Sequence, residues 1–160
     1  MTISLSDFTV RQATRYDLPS VCKIEDGAFP DPYPANLLTR LQREYSKGFL
    51  VAENDVGQVL GYCVASEKEG RAHLISVAIQ SEYLRRGIGS LLLKALLARL
   101  SEHCVDEVLL EVNVENEAAI KFYERFGFER IALIENYYSD GSDALKMRLS
   151  MRNGLDGKSA

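Results

Sequence analysis

The sequence predicts a mixed α/β domain with the element order β-α-α-β-β-β-α-β-α-β-β. Three observations carry this expectation. The 160 residues are 46% apolar and 26% charged, an ordinary globular composition with chain enough for one sizeable core. Segments of period-two alternation exchange with segments of helical spacing. Near the middle, a strand-like run, His73-Leu74-Ile75-Ser76-Val77-Ala78-Ile79, is joined by Leu84-Arg85-Arg86-Gly87-Ile88-Gly89-Ser90 to a helix-like run, Leu91 to Leu100.

The elements follow in order. Phe8 to Gln12 alternates as a half-buried strand. Asp17 is placed to cap a helix carrying Leu18, Val21, Cys22 and Ile24 on one side. Three prolines within Phe29-Pro30-Asp31-Pro32-Tyr33-Pro34 end that helix. A second amphipathic helix follows, with Leu37, Leu38, Leu41 and Tyr45 as its apolar face. Strands near 48–53 and 58–67 flank the hairpin turn Asn54-Asp55-Val56-Gly57. Glu69-Gly70 turns into a third strand at 71–79. The glycine turn opens a helix running to about Glu102. Val105 to Val114 is β-prone, and Glu115-Asn116 starts a helix with Ala119, Ile120, Tyr123 and Phe126 inward. Gly127 suits its C-terminal cap. Phe128 to Ile134 and Ala144 to Met151 are the last strands. One domain is expected over residues 1–151, with a polar tail at 152–160 that frays.

Composition excludes several classes of function. The net charge of −4 argues against a nucleic-acid binder. Cys22, Cys63 and Cys104 are odd in number and widely spaced, fitting neither a disulfide framework nor a metal site; reduced, buried thiols are expected. No signal peptide opens the chain and no apolar stretch spans a bilayer, so no membrane partner and a cytoplasmic setting are expected. Oligomeric state has no signature in the sequence.

The Arg85–Ser90 turn has the parts of a pyrophosphate cradle: closely spaced glycines, two arginines and a helix N-terminus with its unpaired amides. It serves equally as a plain packing junction. It is not a P-loop, because Gly89 is followed by Ser90 and Leu91 rather than Lys and a hydroxyl residue. It is not a dinucleotide fingerprint, because position 92 is Leu.

Glu111 is the anomaly of the run Val108-Leu109-Leu110-Glu111-Val112. A carboxylate there is costly unless paired or facing a cavity. Burial would raise its pKa toward that of a general base; the alternative is a salt-bridged Glu on a half-exposed strand. Tyr123, on the following helix, is either a proton donor or a core aromatic beside Phe122 and Phe126. Asn116 is first a helix cap, with ligand contact secondary. His73 opens its strand as surface or core filler or as a catalytic group, and His103 suits a helix C-terminus. Tyr137-Tyr138-Ser139-Asp140-Gly141-Ser142-Asp143 is an exposed turn that could wall a substrate groove. The rigid aromatic loop with Phe29, Asp31 and Tyr33 could grip a peptide.

Together these residues resemble the GCN5-related N-acetyltransferase (GNAT) superfamily, most closely its RimI-type and archaeal protein N-terminal acetyltransferases. The resemblance spans about residues 8–151. One block runs from Ser76-Val77-Ala78-Ile79 through Arg85-Arg86-Gly87-Ile88-Gly89-Ser90-Leu91-Leu92. The second is Leu110-Glu111-Val112-Asn113, then Asn116-Glu117-Ala118-Ala119-Ile120, Phe122-Tyr123 and Gly127-Phe128. The third is Asn136-Tyr137-Tyr138 with Asp140-Gly141 and Asp143-Ala144. Leu84 departs from the family's usual Gln or Arg.

The resemblance implies a central mixed, mostly antiparallel sheet and direct acetyl transfer from acetyl-CoA to a protein N-terminal α-amine, with CoA as product and no metal. It implies cofactor contacts from Val77, Ala78 and Ile79, from Arg85, Arg86, Gly87, Ile88, Gly89 and Ser90, and from Asn116 and Tyr123. It makes Glu111 the base with help from His73, and Tyr123 the acid. It places Phe29, Pro30, Asp31 and Tyr33 on one wall of the peptide site and Tyr137 and Tyr138 on the other. A ribosomal protein is one candidate acceptor, which would associate the chain with the ribosome. The alternatives are acetylation of a small amine or lysine side chain, and a non-catalytic acyl-CoA sensor or subunit.

Overall fold

In the computed structural model, which describes residues 7–151, the two periodicities resolve into strands and helices in the expected order. The strands are β1 Phe8–Gln12, β2 Phe49–Asn54, β3 Val59–Lys68, β4 Arg71–Ile79, β5 Glu107–Asn113, β6 Glu129–Ile134 and β7 Ala144–Ser150. The helices are α1 Leu18–Ala28, α2 Ala35–Glu44, α3 Ile88–Glu102 and α4 Glu117–Arg125. Pairing is mixed and mostly antiparallel: β1–β2, β2–β3, β5–β7 and β6–β7 run antiparallel, and β4–β5 runs parallel. The expected frayed tail at 152–160 lies outside the described residues. The chain falls into two compact units. The first comprises the chain up to Glu67 with Leu74–His103, and the second comprises Lys68–His73 and the chain from Cys104 onward.

In the first unit the strand order is β1-β2-β3-β4. Strand alternation sends Phe49, Val51, Tyr62 and Val64 into one apolar cluster with Val21 and Ile24 of α1 and Leu38 and Leu41 of α2. Leu50 and Cys63 point the other way, and Cys63 Sγ lies 3.9 Å from the Leu92 carbonyl of α3. β3 is therefore buried on both faces, which explains its unbroken apolar run. Each such buried side chain stabilises by roughly 1.5–3 kcal/mol, so α1 and α2 give the loop between them a rigid footing.

Four local expectations are corrected in this unit. The Asp17 side chain does not cap α1. Thr14 caps the preceding 3-10 turn instead, and the Asp17 carboxylate accepts from the Thr14 amide at 2.8 Å and from both Arg11 terminal nitrogens at 2.8 and 2.9 Å. A bidentate guanidinium outcompetes a neutral helix amide, and it holds the Asp17 carboxyl below its usual range. Tyr45 packs against the core but sits just beyond α2. Gly89 lies inside α3, and of the two glycines only Gly87 takes a left-handed conformation in the turn. The buried-thiol expectation holds for Cys63, whose burial pushes the thiol to about 12; Cys22 is half-buried.

In the second unit the order is β4-β5-β7-β6, with the Arg71–His73 end of β4 contributing. Val108, Leu110, Val112, Ile120, Phe128 and Met147 are buried. Asn116 caps α4 by accepting from the Ala119 amide at 3.1 Å, so the helix begins at Glu117. Gly127 ends it at φ 98°, a left-handed turn that other residues resist. Cys104 is exposed, contrary to the expectation of burial, because it lies past the end of α3 on the way into β5.

Candidate active site

Alternation along β5 fixes the orientation of Glu111. Val108, Leu110 and Val112 turn inward, so Glu107, Leu109, Glu111 and Asn113 occupy the half-buried opposite face. β4 pairs with β5 in parallel at Arg71 to Glu107, Ala72 to Val108 and His73 to Leu109. This register places His73 two residues short of Glu111, on the same face. His73 Nε2 lies 2.6 Å from Glu111 Oε1. Tyr137 donates its hydroxyl to the same oxygen at 3.4 Å. On the other side Lys146 of β7 stands directly opposite Glu111 in register.

These partners reverse one expectation and settle another. Glu111 does not have a raised pKa. Its contact with His73 holds the carboxyl below its ordinary value; Tyr137 and Lys146 add to this, and together they outweigh burial. Nor is its face of β5 wholly apolar. The Glu111 side chain is 14% exposed and that of His73 44%, so the carboxylate is paired and reachable. Within this pair the Glu111 carboxyl is held toward its charged form, and His73 places a ring nitrogen against it.

The other named residues of the second unit take defined places. Tyr137 and Tyr138 stack edge to face, with centroids 4.9 Å apart. Their loop is ordered by the Asn136 amide donating to Asp143 at 2.9 Å and by Asn113 donating to the Ser142 hydroxyl at 2.9 Å. Beyond the groove-wall place that the resemblance implies, Tyr137 also touches Glu111. Tyr123 is half-buried, edge to face with Phe122 and Phe128 at 5.3 and 5.6 Å. Asn116 spends its side-chain oxygen on the α4 cap, as expected of a residue at a helix start.

The first unit holds the glycine turn. Gly87 is the N-cap of α3 at φ 84°, and Arg85 also takes a positive φ of 63°. The first helical bond runs from the Leu91 amide to the Gly87 carbonyl, so the amides of Ile88, Gly89 and Ser90 precede the helical ladder. This donor set, at the positive end of a 15-residue helix, fits a pyrophosphate. Arg86 lies over the Tyr83 ring at 5.1 Å, and Leu84 is exposed. Val77, Ala78 and Ile79 close β4 beyond the three residues in register with β5. Phe29, Pro30, Asp31 and Tyr33 form the α1–α2 loop; Phe29 packs on the core and Tyr33 is 37% exposed.

Two residues escaped the sequence reading. Lys146 could be seen only through the β5–β7 register. Glu25, fully buried on α1, carried a visible signal: it falls at helical spacing with Leu18, Val21 and Cys22, where an apolar side chain belongs. Among the described residues no group of three or more His, Cys, Asp or Glu could hold a metal ion, and no helix is long and apolar enough to cross a membrane.

Residues 18–128 match the model of the acetyltransferase (GNAT) family. An N-alpha-acetyltransferase of Sulfurisphaera tokodaii is 34% identical over 154 residues, covering 88% of this chain and 92% of that protein. The crystal structure of Ard1 from Thermoplasma volcanium superposes with a TM-score of 0.86 at 33% identity, covering 90% of this chain and 97% of that one. The ribosomal-protein-S18-alanine N-acetyltransferase of Escherichia coli does so with a TM-score of 0.83 at 29% identity, covering 90% and 94%.

Proposed function

The chain belongs to the acetyltransferase (GNAT) family, and from that membership we propose that it moves the acetyl group of acetyl-CoA to the N-terminal α-amine of proteins. The His73–Glu111 contact at 2.6 Å carries the reading. It is a carboxylate–imidazole pair, reachable from outside, in the strand position where the RimI-type resemblance puts a base. The archaeal and bacterial relatives above support a protein N-terminus as acceptor. The proposal treats residues 1–151 as one catalytic domain and extends to a cytoplasmic setting with a ribosomal protein among the candidate acceptors.

Bound acetyl-CoA supplies an activated thioester acetyl group. The amides of Ile88, Gly89 and Ser90, with Arg85, Arg86 and Gly87, would hold its pyrophosphate. The backbone of Val77 and Ile79 would line the pantetheine arm with Ala78 between them, and a strand amide near Val77 would donate to the acetyl carbonyl oxygen as it gains charge. Asn116 adds a cofactor contact through the groups its cap leaves over. An α-amine has a pKa of about 7.7–8.0, so it arrives largely protonated at neutral pH. The His73–Glu111 pair removes that proton, with Glu111 holding the imidazole in place and stabilising its charged form. The freed amine would attack the thioester carbonyl, forming the C–N bond as the C–S bond breaks, and Tyr123 would give a proton to the departing thiolate. Phe29, Pro30, Asp31 and Tyr33 bind the peptide N-terminus, as do Tyr137 and Tyr138.

The pyrophosphate role of the turn makes one prediction. Gly87→Ala forces a Cβ into a left-handed conformation at a cost of roughly 1–2 kcal/mol. CoA affinity, measured by calorimetry, should fall about tenfold, while α3 still folds. Unchanged affinity would separate the turn from cofactor binding.

A panel tests the function as a whole. The isolated chain is given acetyl-CoA with peptides of varied first residue, a polyamine, an aminoglycoside and a lysine peptide blocked at its N-terminus. The proposal expects the highest kcat/KM on peptides with a free α-amine. A higher value on the amines or the blocked peptide overturns it, and no transfer to any acceptor leaves the chain a binding subunit.

A further inference from the structure

Glu25 is a carboxylate among apolar neighbours. It is 1% exposed, on the side of α1 that carries Val21 and Ile24, and no ion pair reaches it among the described residues. A buried charge is costly unless hydrogen bonds replace its water, and a Leu or Met would fill the same space without that cost. Oε1 accepts from the hydroxyl of Tyr62 and, at 3.3 Å, from that of Ser76; the two hydroxyls lie 3.1 Å apart. Oε2 accepts from the backbone amide of Tyr33 at 3.0 Å.

The Tyr33 bond matters because of what the loop lacks. In Phe29-Pro30-Asp31-Pro32-Tyr33-Pro34 the prolines have no amide hydrogen, which leaves three donors. Two of the three end on Glu25. The Phe29 amide donates to its carbonyl at 3.2 Å, and the Tyr33 amide to its side chain. One residue thus holds both ends of the loop. Through Ser76 the same carboxylate is tied to β4, one position before Val77.

We propose that Glu25 is a positioning residue for the acceptor peptide: it fixes the Phe29–Tyr33 loop to β4, so that the loop is ordered before the peptide arrives. The proposal rests on the reading of this loop as part of the peptide site. Glu25 touches no substrate and acts through the Tyr33 backbone. A loop ordered in advance spares the complex the entropy of ordering it on binding, so its loss appears in peptide binding rather than in the chemical step.

The experiment is steady-state kinetics on Glu25→Gln and Tyr62→Phe. A carboxamide is neutral and has one acceptor oxygen in place of two, so with that oxygen on the Tyr33 amide its NH2 faces the Tyr62 and Ser76 hydroxyls, which must turn from donors to acceptors, and the bond to Tyr33 loses its charge assistance. Peptide KM should rise about tenfold in Glu25→Gln, while kcat and the acetyl-CoA KM stay within about twofold. Tyr62→Phe leaves the Tyr33 bond in place and should give a smaller rise of the same kind. Wild-type peptide KM in both variants overturns the proposal. So does a fall in kcat at unchanged peptide KM, which marks a purely structural role. If Glu25→Gln does not fold, Tyr62→Phe decides alone on the same two outcomes. Wild-type protein that acetylates free amines but no peptide overturns the proposed function instead, before any variant is compared.

Discussion

Glu111→Gln should lower kcat for peptide acetylation by about 10²–10⁴-fold, the usual contribution of general base catalysis, with acetyl-CoA affinity nearly unchanged. The substitution keeps the shape of the side chain and an acceptor for the Tyr137 hydroxyl, 3.4 Å away in the wild type. It removes the negative charge 2.6 Å from His73 Nε2, so an imidazolium formed on proton transfer loses its counter-charge. Stability carries an independent signature of the same charge. The Glu111 carboxyl lies below its ordinary value of 4.5 in the folded protein. Its stabilisation is therefore complete above the unfolded carboxyl pKa and is lost as pH falls through the lower folded value. The Gln variant lacks this titration, so the stability gap between the two proteins, about 1 kcal/mol at neutral pH, should narrow on acidification below 4.5. Wild-type turnover in Glu111→Gln would remove the residue from the chemistry. A gap that does not change with pH would remove the Glu111 charge from the account of stability.

The second large effect is expected at Tyr123. Tyr123→Phe deletes the hydroxyl proposed as the proton donor and keeps the ring, so the edge-to-face contacts with Phe122 and Phe128 and the burial of Ile120 persist. Folding should be preserved to within about 1 kcal/mol, the net worth of one hydrogen bond. Turnover should fall about 10²-fold or more, with both KM values little changed, because the proton is needed only as the thiolate departs. A steady-state rate equal to that of wild type would leave Tyr123 as a core aromatic and move the acid role elsewhere.

The elements were legible because their signals are local. β4 spans Arg71–Ile79 as the alternation predicts, and the prolines and glycines end α1 and α4 where expected. Glu111 and His73 each stood out in sequence, one as a charge in an apolar strand and the other as a strand-end histidine. Their partnership did not, because it depends on a parallel register that brings together residues 38 apart in sequence. The direction of the Glu111 pKa shift failed for the same reason: burial can be guessed from neighbours in sequence, but the His73 and Tyr137 contacts and the Lys146 charge cannot. Asp17 looked like a helix cap until Arg11, six residues back, claimed its carboxylate. Glu25 shows the opposite failure. Its apolar spacing was readable, but its partners Tyr62, Ser76 and Tyr33 lie on other segments, so nothing local explained a buried acid.

The most direct test of N-terminal acetylation is to locate the acetyl group itself. A peptide with a free α-amine and one internal lysine is incubated with acetyl-CoA and the isolated chain, with the Glu111→Gln protein in parallel, and fragmented by tandem mass spectrometry. The acetyl group should sit on the α-amine, with the lysine unmodified and the variant slower by at least about 10²-fold. Acetylation confined to the lysine, or equal rates for the two proteins, would contradict it.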